Sequence, residues 1–142
     1  MVIESTEGTR TQRHVAAVRW IAVGLIAVLL AACHGEGRVR SRLAAADRAR
    51  LLADARDLHA RYVIRTKFAR DVPRHAWPES FATFRPKRVW VDDFGVYICS
   101  YEFFVEHAGL YIRTDSSYAP PRSGDPGFRS LDSEFFWYYA PG

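Results

Sequence analysis

The chain has 142 residues, of which 49% are hydrophobic and 25% are charged, and its formal net charge is +4. This length provides one modest hydrophobic core and excludes a two-domain organisation. Residues 38–88 carry fourteen basic and five acidic side chains, whereas residues 89–142 carry three and eight. We interpret this asymmetry as a solvated basic helix face together with attraction between the two halves. The alternative is a basic surface that lies against anionic lipid headgroups.

The N-terminal segment has the organisation of an export signal. Three arginines come before its apolar part: Arg10, Arg13 and Arg19. The apolar run Trp20–Leu30 is shorter than the roughly eighteen residues that a membrane-spanning helix needs. It leads into Leu30–Cys33 (LAAC), and these small residues before a cysteine resemble the lipobox of bacterial lipoprotein precursors. The resemblance implies cleavage after Ala32, acylation of Cys33 and loss of residues 1–32 as a signal peptide.

The same resemblance implies an address for the mature protein. Residues 33–40 become a lipidated cysteine and a short tether, and residues 41–142 a single envelope domain. His34, where an aspartate would favour the inner membrane, implies the outer membrane facing the periplasm. The lipid on Cys33 then makes the membrane a partner, and an exported protein is not expected to bind nucleic acid. Two alternatives stay open: an uncleaved transmembrane anchor that also recruits Val15–Val18, and a secretory signal peptide followed by a coincidental cysteine.

After the tether, the sequence predicts one helix from Ser41 to about Phe68. Ser41 can serve as its N-cap, and alanine, leucine and arginine dominate the segment. One apolar stripe recurs at helical spacing: Leu51, Ala55, Leu58 and Tyr62. The stripe predicts that this helix packs against the C-terminal half of the domain.

A proline-rich connector, Asp71–Lys87, separates the helix from the strands. Its prolines exclude long regular elements. Three aromatic residues are expected to anchor the connector in the core: Trp77, Phe81 and Phe84.

Alternating apolar residues then predict an antiparallel meander. Its three strands are Arg88–Asp92, Val96–Glu106 and Leu110–Thr114, joined by turns at 93–95 and at His107-Ala108-Gly109. The aromatic segment Phe128–Tyr139 is a candidate fourth strand. The predicted fold class is therefore α+β, with one N-terminal amphipathic helix packed on a three- to four-stranded antiparallel sheet.

The residues that carry chemistry form no recognisable constellation. Four histidines follow the predicted cleavage site, without metal-ligand spacing: His34, His59, His75 and His107. Cys99 alternates with tyrosines in a strand, which favours a buried apolar role over a nucleophile. If Cys33 is not acylated, a Cys33–Cys99 disulfide becomes the alternative. Asp92 and Asp93 are adjacent and have no partner pair, which disfavours calcium binding. We therefore expect no catalytic residues, no metal and no cofactor.

Two features favour a contact surface. The segment 115–127 is long and rich in serine, proline and glycine, which is typical of a functional or a disordered loop. Its centre holds the candidate contact residues Tyr118, Pro120, Pro121 and Arg122. The last third of the chain is also dense in aromatic residues. Since a helix covers only one sheet face, some of them are expected to face outward: Tyr97, Tyr101, Phe103, Tyr111, Tyr138 and Tyr139.

Three functions are consistent with these observations. The first is a non-catalytic envelope lipoprotein that binds another envelope protein as an accessory module, with inhibition or immunity as specific forms. The second is a binder of a small molecule, lipid or glycan that uses the aromatic sheet face. The third is a hydrolase, which would rest on Cys99 and the scattered histidines. We favour the first function and expect no enzymatic activity.

Overall fold

The computed structural model describes residues 35–64 and 69–141. The lipobox and Cys33 lie outside the described residues. Helix α1 spans residues 35–45 and helix α2 spans Arg48–Tyr62. Two short 3₁₀ helices, Arg74–Ala76 and Glu79–Phe84, occupy the connector. The strands are β1 (Arg70–Asp71), β2 (Arg88–Val91), β3 (Gly95–Phe103), β4 (Glu106–Arg113), β5 (Gly127–Ser130) and β6 (Phe135–Ala140).

The helical region is divided in two, so the prediction of a single helix from Ser41 to about Phe68 is wrong. Asp47 adopts an extended conformation, and its carboxylate accepts a hydrogen bond from the amide of Arg50 at 3.1 Å. An N-cap of this kind satisfies a free amide of the first turn and starts a new helix. Helix α2 ends at Tyr62, after which Val63 is again extended. Within the described part of the chain, no helix is long and apolar enough to span a bilayer.

The six strands form one antiparallel sheet in the order β1-β2-β3-β4-β6-β5. The predicted architecture, one N-terminal helix on three to four strands, is therefore wrong. Strand β1 has only two residues and gives no alternation signal. The predicted strand Phe128–Tyr139 is two strands, because the chain reverses where the amide of Leu131 donates to the carbonyl of Phe135 at 2.8 Å.

The core lies between the helices and one face of the sheet, which we call the helix face. The strands contribute Val89, Val91, Val96, Ile98, Leu110 and Ile112 to it. The helices contribute Leu43, Leu51, Ala55 and Leu58, so the predicted apolar stripe is confirmed at its first three positions. From the connector, Phe81 and Phe84 are fully buried, as expected. Trp77 is half-buried and donates from its indole to the carbonyl of Val72 at 2.9 Å.

Candidate functional site

The connection between β4 and β5 crosses the second face of the sheet. Ile112, near the end of β4, pairs with Phe135 at one end of β6. Gly127, which begins β5, pairs with Tyr139 near the other end of β6. Residues 114–126 must therefore run about 13 Å along the sheet, at roughly 3.3 Å per residue pair. We call residues 114–126 the strap and the face that they cross the strap face.

An aromatic cluster fills the strap face beneath this segment. Its four members are Tyr97, Tyr111, Phe128 and Tyr138, which are at most 7% exposed. The ring of Tyr97 lies 4.6 Å from that of Tyr111 and 5.0 Å from that of Tyr138, between centroids. Such pairs contribute about 0.5–1.5 kcal/mol each beyond the area that they bury. The cluster is therefore a second core. Of the six aromatic residues from which some were expected to face outward, Tyr101 and Phe103 are exposed, whereas Tyr97, Tyr111 and Tyr138 are buried.

Burial of the cluster restricts its hydroxyl groups. Tyr97 donates to Oδ2 of Asp92 at 3.1 Å, while Oδ1 of Asp92 accepts from the amides of Phe94 and Gly95. The hydroxyls of Tyr111 and Tyr138 are buried without a hydrogen-bond partner. Burial raises the pKa of all three tyrosines well above the ordinary value. The cluster is thus stable only while its phenols are neutral.

The strap is held against the sheet along its length. At its start, the guanidinium of Arg113 donates to the carbonyls of Tyr118, at 2.9 Å, and Ser133, at 2.8 Å. The ring of Tyr118 stacks on Phe94 with centroids 4.1 Å apart. Further on, the carbonyl of Pro121 accepts from the amide of Phe128 at 3.0 Å. These contacts hold the strap at two of the candidate contact residues, Tyr118 and Pro121.

The candidate contact residues divide between the two sides of the strap. Tyr118 and Pro120 are half-buried, and Tyr118 packs against the aromatic cluster. Pro121 and Arg122 are exposed, as are the next three residues, 123–125. The strap therefore presents a continuous outer edge, residues 121–125, which begins at the hydrogen-bonded Pro121.

The turn between β3 and β4 is an apolar projection that the sequence analysis did not identify. Phe103 pairs with Glu106, which leaves Phe104 and Val105 as the turn. Phe103, Phe104 and Val105 are 59%, 91% and 66% exposed. Phe104 has a φ of 55°, in the left-handed region, which costs a non-glycine residue about 1–2 kcal/mol. We call Phe103–Val105 the hairpin tip.

The predicted turn at His107-Ala108-Gly109 is consequently wrong, because all three residues lie inside β4. A glycine normally marks a turn, whereas Phe104 is a poor residue for positive φ. The available signal was the run of three apolar residues between Glu102 and Glu106. Three consecutive apolar residues at the turn of a hairpin extend beyond the sheet, so their side chains remain exposed.

The three histidines of the described residues lie in three different elements: α2, the first 3₁₀ helix and β4. His59 Nε2 lies 3.0 Å from the carbonyl of Asp92, and His75 is exposed in the first 3₁₀ helix. His107 packs edge-on against Trp90, with centroids 5.3 Å apart. Across residues 35–64 and 69–141, no group of three His, Cys, Asp or Glu residues could hold a metal ion.

Cys99 is a free, fully buried thiol on the strap face. It donates to the carbonyl of Tyr101 at 3.1 Å, and burial raises its pKa. A higher pKa reduces the thiolate fraction on which nucleophilic reactivity depends. The position therefore suits a small apolar side chain.

Comparison with models of known families, with curated proteins and with solved structures gives no match for this chain.

Proposed function

We propose that this chain is a lipid-anchored protein of the bacterial cell envelope that acts without catalysis, by binding another envelope protein. The observation that carries the binding role is the exposed outer edge of the strap, residues 121–125, whose backbone is hydrogen-bonded to the sheet at Pro121 and, just before the edge, at Tyr118. A surface held in one conformation loses less entropy when a partner binds it. The lipobox resemblance of Leu30–Cys33 supports the anchor and the location at the outer membrane, facing the periplasm.

The contact surface combines an anchored and an exposed part. Tyr118 is held by its stack on Phe94, and the chain then turns outward at Pro121 and Arg122. Proline restricts the backbone, and arginine offers a planar cation for carboxylates. Asp125 adds an acceptor on the same exposed edge. We therefore assign Tyr118 and Pro120 a supporting role and Pro121 and Arg122 the contact.

The alternative function, binding of a small molecule, lipid or glycan on the aromatic face, has less support. Such a ligand would stack on Tyr97, Tyr111 or Tyr138, and these side chains are at most 7% exposed beneath the strap. A ligand would first have to displace Tyr118 from Phe94. The binding role is better supported on the strap than below it.

Intact mass of the protein from its native membrane tests the anchor. We expect a mass equal to residues 33–142 plus acyl chains, because the resemblance implies cleavage before Cys33 and modification of its thiol. Cys33→Ser should remove the acyl mass, whereas Cys99→Ala should keep it, since Cys99 is buried in the sheet. An unacylated wild-type protein would contradict the anchor and reopen the Cys33–Cys99 disulfide.

Site-specific photo-crosslinking in native membranes tests the partner. We expect a crosslinking amino acid in place of Arg122 to give a discrete adduct with one envelope protein. The same amino acid in place of Arg56, which is exposed on α2, serves as the matched control and should give none. The double substitution of Pro121→Gly with the crosslinker at 122 should weaken the adduct, because it frees the backbone. Equal labelling at 56 and 122, or none at 122, would reject the strap as the contact surface.

A further inference from the structure

Exposed apolar side chains concentrate at one end of the sheet. Six large hydrophobic residues of the described chain are more than a third exposed, and four of them lie between Tyr101 and Val105. The ring of Phe104 contacts only that of its neighbour Phe103 among the aromatic residues, at 5.4 Å. Apolar patches of this kind mark contacts with proteins or membranes. Among residues 35–64 and 69–141, nothing covers the hairpin tip.

The hairpin tip lies on the same face of the sheet as the point where the chain enters the domain. A Cβ atom on Gly35 would lie 3.8 Å from Nε1 of Trp137, on the helix face. Next to Gly35, Glu36 pairs with Arg129 at 3.0 Å. Trp137 stacks on Tyr139 with rings nearly parallel and centroids 6.1 Å apart.

From Tyr139 the same face continues to the hairpin tip. Ala108 lies between Tyr139 on one side and Tyr101 on the other. Trp137 is opposite Leu110, and four residues of β4 lead from Leu110 to the base of the tip, a distance of about 13 Å. An aromatic row therefore joins the entry of the chain to the tip.

The sequence before Gly35 limits the distance from the domain to a membrane. The apolar run Trp20–Leu30 ends five residues before Gly35, and Cys33 precedes it by two. At about 3.5 Å per extended residue, the segment from Leu30 to Gly35 spans at most about 17 Å, and the segment from Cys33 to Gly35 at most about 7 Å. By either route the lipid surface lies within about 17 Å of Gly35, and the base of the hairpin tip lies about 13 Å along β4 from Leu110, opposite Trp137.

We propose that the hairpin tip, Phe103–Val105, inserts into the interface of the lipid bilayer to which the N-terminal segment is attached. This inference rests on the membrane anchor of the proposed function and uses a surface separate from the strap. The tip orients the anchored domain, with the β3–β4 turn toward the lipid.

Charges at the base of the tip define the lipid chemistry. Glu106 is half-buried, and Glu102 is exposed, 3.5 Å from the guanidinium of Arg88. Arg88 balances the charge of Glu102, so the negative charge beside the tip is that of Glu106. This charge disfavours anionic headgroups, and zwitterionic lipid is the expected environment. Zwitterionic headgroups carry no net charge, so Phe103 and Phe104 can insert among them without electrostatic repulsion from the neighbouring carboxylate.

The test uses the full chain from native membranes, reconstituted into phosphatidylcholine vesicles that carry nitroxide lipids. An environment-sensitive fluorophore is placed on Val105→Cys, and the matched control carries it on Ser116→Cys, an exposed position of the strap. Mass analysis checks that only the introduced thiol is labelled. We expect lipid quenching of about two-fold or more at 105 and none at 116. Phe104→Asp in the Val105→Cys protein should abolish the quenching, whereas Arg56→Asp should preserve it.

The outcomes separate this inference from the anchor. Flotation of the protein with the vesicles together with quenching at 105 supports insertion. Flotation with equal, water-like signals at 105 and 116 overturns insertion and leaves the anchor in place, as would be expected if the tip binds a protein. Failure to float overturns the anchor and, with it, the inference.

Discussion

Replacing Gly109 by alanine should destabilise the domain by about 3 kcal/mol or more, the range of severe steric overpacking. Gly109 lies in β4 opposite Cys99, beside the bulge of β3. A Cβ atom there would lie 2.0 Å from the carbonyl oxygen of Ile98. The obstacle is backbone in the centre of the sheet, so a side-chain rotation cannot relieve it.

Gly37→Ala is the matched control. A Cβ atom on Gly37 meets nothing within 4 Å, and in α1 alanine should stabilise by up to about 1 kcal/mol. The free energies of unfolding in urea, measured for wild type and both variants, check the pair. Similar stability of Gly109→Ala and wild type would show that β3 and β4 do not approach each other this closely.

Gly109 also illustrates what local sequence cannot determine. From the sequence alone, glycine after His107 and Ala108 predicts a turn, whereas here it allows two strands to approach at a bulge. The bulge is a feature of the pairing between β3 and β4 and has no local pattern. It places Tyr101 opposite Ala108, on the helix face, and thereby defines the side on which the hairpin tip projects.

Elements that depend on local patterns could be predicted. The buried stripe of α2 follows from spacing, and the strand Arg88–Asp92 agrees with β2 to within one residue. Strand β1 could not be predicted, because two residues carry no periodicity and gain their place only by pairing with β2. The break at Asp47 was available as a capping residue within the predicted helix, but the alanine-rich sequence around it favoured continuity.

In the candidate surfaces, too, features that depend on local sequence could be predicted, and features that depend on strand order could not. The composition of the strap made Tyr118, Pro120, Pro121 and Arg122 candidate contact residues, of which the last two are exposed. It did not indicate the course of the strap across the sheet. That course follows from the order of the strands, in which β6 lies between β4 and β5. Because this topology is non-local, the burial of Tyr97, Tyr111 and Tyr138 was not predictable from their alternation in the strands. The positive φ of Phe104 contradicts ordinary turn preferences, which is why the hairpin tip was missed.

Alkaline pH should unfold the domain in a steep transition that begins near pH 10. Burial raises the pKa values of Tyr97, Tyr111 and Tyr138 above 10.0, the ordinary value that applies in the unfolded chain. Below pH 10 both states hold these protons, and the stabilisation is fully present. Above it the unfolded chain binds fewer protons than the folded one, so stability falls as pH rises.

The expected magnitude is large. Each tyrosine contributes about 1.4 kcal/mol per pH unit once the unfolded chain is ionised, so the three together give about 4 kcal/mol. A domain stable by about 5–15 kcal/mol would therefore unfold within roughly one to four pH units above 10. Circular dichroism and tyrosinate absorbance, followed together during an alkaline titration, measure the transition. The chain has seven tyrosines, of which four lie outside the buried set, among them the exposed Tyr101. We therefore expect the absorbance that corresponds to the last three tyrosines to appear only at the pH at which the circular dichroism changes, because the buried phenols ionise only when the cluster opens.

Tyr111→Phe isolates one contribution to this transition. The variant keeps the ring that packs on Tyr97 and Phe128 but removes a buried hydroxyl without a partner, so at neutral pH it should be as stable as wild type or more so. Its loss of stability per pH unit should be smaller by about a third, since two of three phenols remain. Tyr97→Phe should lower the slope similarly but destabilise at neutral pH, because Asp92 loses a donor. Tyrosinate absorbance from more than four of the seven tyrosines in a still-folded protein would mean that the strap does not seal the aromatic cluster, and it would support the cluster as a ligand-binding face.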